Sequence, residues 1–364
     1  MTSALKMGLE GRIAALIAAQ GPITVAQFMT MALHDAEGGY YATRDPLGRD
    51  FTTAPEISQM FGEMLGLWCA AAWRDQGCPK NPMLVELGPG RGSLMADALR
   101  ALRAQKALPD FCDGLELVMV EASPVLRALQ EKALANANVN IRWATHFDDS
   151  MAQRPLFVLA NEFFDALPIR QFVRTARGWC ERMVTQAGGK LAFALAPLVT
   201  PPSLIPKADA PDGGVHEVSA SSTALAGEIA RVIAAKGGAA LFLDYGHGEA
   251  AGHGETLQAI GGGGFADVLA QPGAQDITAH VDFAALADAA RHAGAAVHGP
   301  LGQGAFLNRL GMGARAQQLA TANPNAAADV QAALARLTSP AQMGELFKAL
   351  AILPPSAPTP PGFA

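Results

Sequence analysis

The chain has 364 residues, 50% of them apolar and 16% charged, with a formal net charge of −6. An acidic balance without a lysine- or arginine-rich run excludes a dedicated nucleic-acid binder, whose affinity comes from neutralising phosphates. No apolar run approaches the roughly 18 residues of a membrane span, so no membrane insertion is expected. Four cysteines, Cys69, Cys78, Cys112 and Cys180, include no C-x-x-C pair. That argues against a zinc site or a disulfide framework and for a reducing compartment. The first ten residues have no basic segment followed by an apolar one. The expectation is a cytoplasmic protein without a metal.

Residues 9–33 read as helix, broken at Gly21-Pro22-Ile23-Thr24, where Thr24 can cap a second helix. Residues 35–55 are dense in Gly, Pro and Asp, and a loop of this length is usually a binding segment or disordered. A helix over 56–75 completes an expected N-terminal helical cap and lid loop, 1–80. From Met83 the texture alternates: strand 83–87, helix 93–106, strand 115–120, a helix through Ala135, then strands 139–143 and 156–160. Such spacing predicts right-handed βαβ units and a parallel sheet with helices on both faces. An insertion at about 168–220 reads as a strand meander, 169–174, 179–186 and 190–195. Helix 221–235 and strand 239–244 restore the alternation, and a helix over 282–292 precedes short strands at 295–298 and 305–307. The core thus spans 81–353, and the Pro-rich tail 354–364 is expected to be disordered.

The strongest local signal is Glu86-Leu87-Gly88-Pro89-Gly90-Arg91-Gly92. A strand feeding a glycine turn that opens a helix lets the backbone approach a nucleotide-like ligand closely. A dinucleotide fingerprint is G-x-G-x-x-G, whereas this is G-x-G-x-G with an acidic residue two before the first glycine. It resembles the first motif of class I S-adenosylmethionine-dependent methyltransferases, which implies a Rossmann-like fold and makes Glu86, Gly88, Pro89, Gly90 and Gly92 candidate cofactor contacts. Glu121 ends the second strand, where a carboxylate can accept hydrogen bonds from both ribose hydroxyls; an exposed strand-end Glu is the alternative. After the third strand, Asp148 could meet an adenine amino group and Phe147 an adenine face.

The fourth strand ends in Asn161-Glu162-Phe163-Phe164-Asp165-Ala166-Leu167-Pro168. Two carboxylates and an amide at this edge suit a nitrogen nucleophile, above all a guanidinium, which carboxylates orient bidentately. Asn161, Glu162 and Asp165 are therefore the catalytic candidates; helix capping by Asn161 or Asp165 is the alternative. Asp244 ends a later strand on the same expected edge.

Over nearly its whole length the chain resembles the MidA family of S-adenosylmethionine-dependent methyltransferases. The likeness rests on Gly21-Pro22-Ile23-Thr24-Val25-Ala26-Gln27-Phe28-Met29, on Gly39-Tyr40-Tyr41, and on Asp50-Phe51-Thr52-Thr53-Ala54-Pro55-Glu56-Ile57-Ser58-Gln59-Met60-Phe61-Gly62-Glu63. The glycine turn, the Asn161–Pro168 run, Asp244-Tyr245-Gly246 and Asp276-Ile277-Thr278-Ala279-His280-Val281-Asp282-Phe283 complete it. The resemblance implies S-adenosyl-L-methionine as cofactor and a family-specific cap. It further implies methylation of an arginine on a respiratory complex I subunit, as in mitochondrial members that are complex I assembly factors. Thr53, Pro55, Glu56 and Ser58 then belong to a lid near the crevice, with Asp244 on the substrate side. Two stretches depart from the family: Pro46-Leu47-Gly48-Arg49-Asp50, and the glycines Gly261–Gly264, where relatives carry large side chains. A cofactor-binding assembly chaperone with little activity and a small-molecule methyltransferase are the competing readings, and a homodimer stays open.

Overall fold

A computed structural model of the chain describes residues 7–43, 52–104, 111–201, 205, 210–248 and 254–364. In chain order the elements are α1 (Leu9–Gln20), β1 (Ile23–Thr24), α2 (Val25–His34), α3 (Tyr40–Thr43), α4 (Ala54–Ile57), α5 (Gln59–Asp75), β2 (Met83–Leu87), α6 (Ser93–Ala104), β3 (Glu116–Val120), α7 (Pro124–Ala133), β4 (Asn140–Ala144) and β5 (Leu156–Asn161). Then follow β6 (Arg170–Thr175), β7 (Gly178–Ala187), β8 (Lys190–Val199), β9 (Val215–Val218), α8 (Ala220–Lys236), β10 (Gly238–His247), β11 (Gln258–Gly261), β12 (Gly264–Ala266), β13 (Asp276–Thr278) and β14 (Val281–Asp282). The last are α9 (Phe283–His292), β15 (Ala296–Gly302), α10 (Gln303–Arg309), α11 (Met312–Ala322), α12 (Ala327–Thr338) and β16 (Phe347–Leu353). They gather into two compact units.

The larger unit takes Thr52–Phe164, Thr223–Gly248 and Phe283–Ala364. Its sheet has the order β15-β16-β10-β5-β2-β3-β4. The five strands from β10 to β4 run parallel, while β16 is antiparallel to both β10 and β15. Every residue of β2 and β5 is buried, as expected of parallel strands covered by helices on both faces. This is the Rossmann-like α/β sheet expected from the strand–helix alternation. The chain's first parallel strand, β2, lies between β3 and β5, so connections leave it in opposite directions, and that is where an open α/β sheet forms its ligand crevice.

Helices α5 and α6 approach closely because α5 carries glycines on the contact face. A Cβ on Gly66 would lie 2.7 Å from Ala98 Cβ, and one on Gly62 would lie 2.6 Å from the Leu94 carbonyl oxygen. On the same helix Glu63 is almost wholly buried. It pairs with Arg100 of α6 at 2.7 Å and Arg315 of α11 at 2.7 Å. Burial pushes the Glu63 carboxyl up, but hydrogen bonds from Arg315 and Arg100 outweigh it and hold the group below the ordinary carboxylate range. One ionised side chain thus ties three helices together.

The smaller unit takes Met1–Phe51, Asp165–Ser222 and Glu249–Asp282. Its main sheet has the order β1-β7-β6-β9, with β8 paired to β7, and a second sheet has the order β12-β11-β13. Thr24 caps α2 as expected, its hydroxyl accepting from Gln27 N while the Gln27 side chain accepts from Thr24 N. The run Gly261–Gly264 forms a hairpin turn: Gly261 pairs with Gly264, and Gly262 and Gly263 have φ of 60° and 84°. A two-residue turn with positive φ at both positions is where glycine is favoured. These glycines therefore have a backbone reason, whatever side chains stand there in relatives.

Three features differ from the sequence reading. The division is not an N-terminal cap followed by a core, because α4 and α5 belong to the larger unit while the meander joins the N-terminal segment in the smaller one. Residues 305–307 lie inside helix α10, not in a strand; three apolar residues satisfy either period. The tail is ordered: Trp68 Nε1 donates to the Pro361 carbonyl at 3.1 Å, and the Phe363 ring sits 5.1 Å from that of Phe306. Gly66→Ala is expected to cost about 1–3 kcal/mol by forcing α5 from α6, with Gly66→Val costing more, as read from urea unfolding.

Candidate active site

At the carboxyl edge of the parallel sheet, three strands are each extended by one further main-chain bond to a neighbour. Gly88 N donates to Val120 O at 3.1 Å, Glu121 N to Ala144 O at 2.8 Å, and Glu162 N to Leu243 O at 2.9 Å. These bonds place the residues after β2, β3 and β5 on one rim.

The turn after β2 needs its glycines. Gly88, Gly90 and Gly92 have φ of 61°, 54° and 83°, a region costly for residues with a Cβ. Gly92 N closes the turn on Pro89 O at 2.8 Å. A Cβ on Gly88 would come 2.8 Å from Phe163 Cδ2, so Phe163 lies against the turn. Gly88 is exposed although the strand before it is wholly buried, leaving main chain open at the rim.

Two carboxyls stand behind this turn. Glu86 is 3% exposed, and its Oε2 has no hydrogen-bond partner among the described residues. Burial, reinforced by the nearby Glu121, pushes its carboxyl well above the ordinary range. Glu121 is also buried, with Oε1 accepting from Ser123 N at 2.8 Å and Oε2 from Gln130 Nε2 at 3.2 Å. Burial raises its pKa too, opposed by these bonds. An orphaned buried oxygen beside a second acidic group suits a cationic ligand group. The exposed glycine main chain and the Glu121 carboxylate suit a ribose. Together they fit the methionine and ribose parts of S-adenosyl-L-methionine.

Asn161 and Glu162 end β5. Glu162 has φ of 49°, a left-handed conformation uncommon outside glycine and a form of strain that gathers at functional sites. Its Oε1 accepts from Asn161 Nδ2 at 3.0 Å and from Ala54 N at 2.9 Å. Asn161 is buried, and its Oδ1 has no hydrogen-bond partner among the described residues. Because Nδ2 donates to Glu162, the remaining oxygen is an acceptor. The segment expected as a lid adjoins this rim: Glu56 accepts from the Ser93 hydroxyl at 2.5 Å and faces Arg91 at 3.6 Å. Thr53 and Pro55 begin the α4 turn, and the Ser58 hydroxyl caps α5 by accepting from Met60 N at 3.2 Å. Residues 44–51, which include the whole Pro46–Asp50 departure, lie outside the described residues.

Asp244 does not offer a surface to substrate. It is fully buried, and its carboxylate accepts from Phe163 N at 3.1 Å, Phe164 N at 2.9 Å and Tyr245 N at 2.9 Å. It holds the chain leaving β5, which is a positioning task. Asp165 is buried in the smaller unit, where its carbonyl accepts from Ala279 N at 3.0 Å. Phe147 is buried, and Asp148 caps a short turn by accepting from Ser150 N at 2.8 Å. The Ser150 hydroxyl bond holds the Asp148 carboxyl below the ordinary range. Gln130, at the site, carries no local sequence signal.

Residues 64–301 match the sequence model of a family described as "Putative S-adenosyl-L-methionine-dependent methyltransferase". A curated relative from Danio rerio, "Protein arginine methyltransferase NDUFAF7, mitochondrial", is 36% identical, with 97% of this chain and 88% of the relative covered. The Homo sapiens protein of the same name is 35% identical, with 93% and 81% covered. A solved structure from Burkholderia thailandensis, with S-adenosyl-homocysteine bound, superposes with a TM-score of 0.85 at 30% identity, covering 98% of this chain and 94% of that one. The mitochondrial names of the relatives overturn the cytoplasmic placement.

Two outcomes follow from this geometry. In the unfolded chain Glu86 ionises in the ordinary carboxylate range, whereas the folded chain keeps it protonated to higher pH. Unfolding therefore releases a proton, and stability falls as pH rises through that window. Glu86→Gln should flatten the dependence and unfold at higher urea than the parent at neutral pH, but not below the ordinary range. Asp244→Ala leaves three amides without their acceptor and should cost about 3 kcal/mol in urea unfolding.

Proposed function

The chain belongs to the S-adenosyl-L-methionine-dependent methyltransferase family, and we propose that it methylates an arginine side chain of a protein. The observation that carries this reading is the acceptor pair at the end of β5, a buried Asn161 Oδ1 beside the Glu162 carboxylate. The names of the relatives as protein arginine methyltransferases support it. The resemblance to the MidA family makes a respiratory complex I subunit the substrate class to test.

When bound, S-adenosyl-L-methionine supplies an activated methyl group on its sulfonium. Gly88, Pro89, Gly90 and Gly92 would hold its amino-acid and sugar parts by main-chain approach, with Glu86 serving the amino group and Glu121 the ribose hydroxyls. Phe147 would offer the adenine a ring face and Asp148 a carboxylate. On the substrate side a guanidinium is planar and charged, and it presents several N–H groups at fixed angles. Glu162 and the Asn161 carbonyl accept two of them, which fixes the nitrogen that faces the methyl donor. The Glu162 carboxylate stabilises the cation and receives the proton lost as that nitrogen gains a methyl. In-line positioning supplies much of the remaining acceleration. Thr53, Pro55, Glu56 and Ser58 border substrate entry, held down through Ala54 N on Glu162 and Glu56 on the glycine-turn helix.

Incubation with methyl-labelled cofactor and complex I subunits should label one arginine. Glu162→Gln should slow labelling by at least about a hundredfold while S-adenosyl-homocysteine binding stays within a few-fold. Undiminished labelling by the variant would remove Glu162 from the reaction, and faster transfer to a metabolite than to protein would overturn the protein substrate.

A further inference from the structure

Helix α7 follows β3, and one buried polar side chain on it faces the sheet. Gln130 is 0% exposed, a placement a glutamine takes only when its amide is satisfied. Its Nε2 donates to the Gly90 carbonyl at 2.8 Å and to Glu121 Oε2 at 3.2 Å. Its Oε1 accepts from Trp143 Nε1 of β4 at 3.0 Å. An indole N–H can only donate, so it fixes the amide's orientation and leaves both hydrogens of Nε2 for the two acceptors. The backbone of the same residue also shapes the turn, since a Cβ on Gly92 would meet Gln130 Cα and Cγ at 3.4 Å.

We propose that Gln130 is a positioning residue that locks the glycine turn to the ribose-binding carboxylate, so that the two grip the cofactor as one unit. The inference rests on the cofactor reading given above. Its physical content is a shared donor. Gly90 O and Glu121 Oε2 are both acceptors and would repel each other without the amide between them. The amide sets their separation before ligand arrives, so less ordering is left to binding. It also favours the ionised carboxylate against the burial that opposes it, the form able to accept from two hydroxyls. The charged groups facing Glu121 are Glu86 of β2 and Arg127 of α7, whose Nη2 donates to the Glu121 carbonyl at 3.2 Å.

The test titrates the full chain calorimetrically with S-adenosyl-homocysteine and with its 2′-deoxy analogue. Gln130→Met keeps the length and removes both donors. It should weaken S-adenosyl-homocysteine binding about tenfold or more and weaken the 2′-deoxy analogue clearly less, because part of the loss passes through the ribose hydroxyl. Gln130→Glu serves where the methionine variant fails to fold. Its introduced carboxyl carries one donor hydrogen, and only when protonated, so affinity should recover in part as pH falls, a trend the parent chain lacks. Parent-like affinity in Gln130→Met, an equal loss for both ligands, or a pH-independent loss in Gln130→Glu would overturn the positioning role. Failure of the parent chain itself to bind S-adenosyl-homocysteine would instead overturn the cofactor reading, and this inference with it.

Discussion

Three main-chain hydrogen bonds, from Gly88 to Val120, from Glu121 to Ala144 and from Glu162 to Leu243, fix the rim on which the proposed chemistry rests. Each carries the sheet one residue beyond its strand before the chain turns away. A parallel sheet has evenly spaced, slanted bonds, so neighbouring strands end in step and their departing residues share a rim. The backbone alone has thus brought the candidate site residues together.

That rim concentrates carboxyl groups. Glu86, Glu121, Glu162 and Asp244 all belong to the larger unit, yet they are stabilised differently. Asp244 is satisfied by three amides and serves the backbone. Glu121 is partly satisfied by an amide and a side chain. Glu86 keeps an oxygen without a partner among the described residues, at a cost to the folded chain. Away from the site, the buried Glu63 is matched by two arginines. The contrast separates a carboxylate that joins helices from one poised for a cationic ligand.

Much of this was legible in the sequence. Strand β5 is a continuous apolar run that ends in Asn161-Glu162, and β2 is apolar but for Glu86 and ends in glycines, so the rim residues follow from strand ends alone. The glycine spacing distinguished a methionine-bearing nucleoside from a dinucleotide. What stayed hidden depends on partners distant in the chain. Gln130 is one polar residue within an amphipathic helix, and only Gly90, Glu121 and Trp143 make it significant. Asp244 looked like a rim residue because it ends a strand, but its acceptors are filled by the chain leaving β5. Strand β16, with two alanines among seven residues, has no pattern separating it from a helix; its pairing with β10 and β15 decides it.

The position of β16 has a consequence for synthesis. The strand follows every other described strand in the chain, yet it sits inside the sheet, between β10 and β15. The smaller unit is assembled from three stretches and waits for residues up to Asp282. A growing chain therefore cannot finish either unit early, and contacts of high sequence separation must close late. A message ending before Phe347 would yield every residue of the cofactor rim and still leave β10, the strand that carries Asp244, with an unpaired apolar edge. Loss of β16 would thus be an aggregation hazard out of proportion to its seven residues, and a strand far along the chain is a condition for the site near the middle.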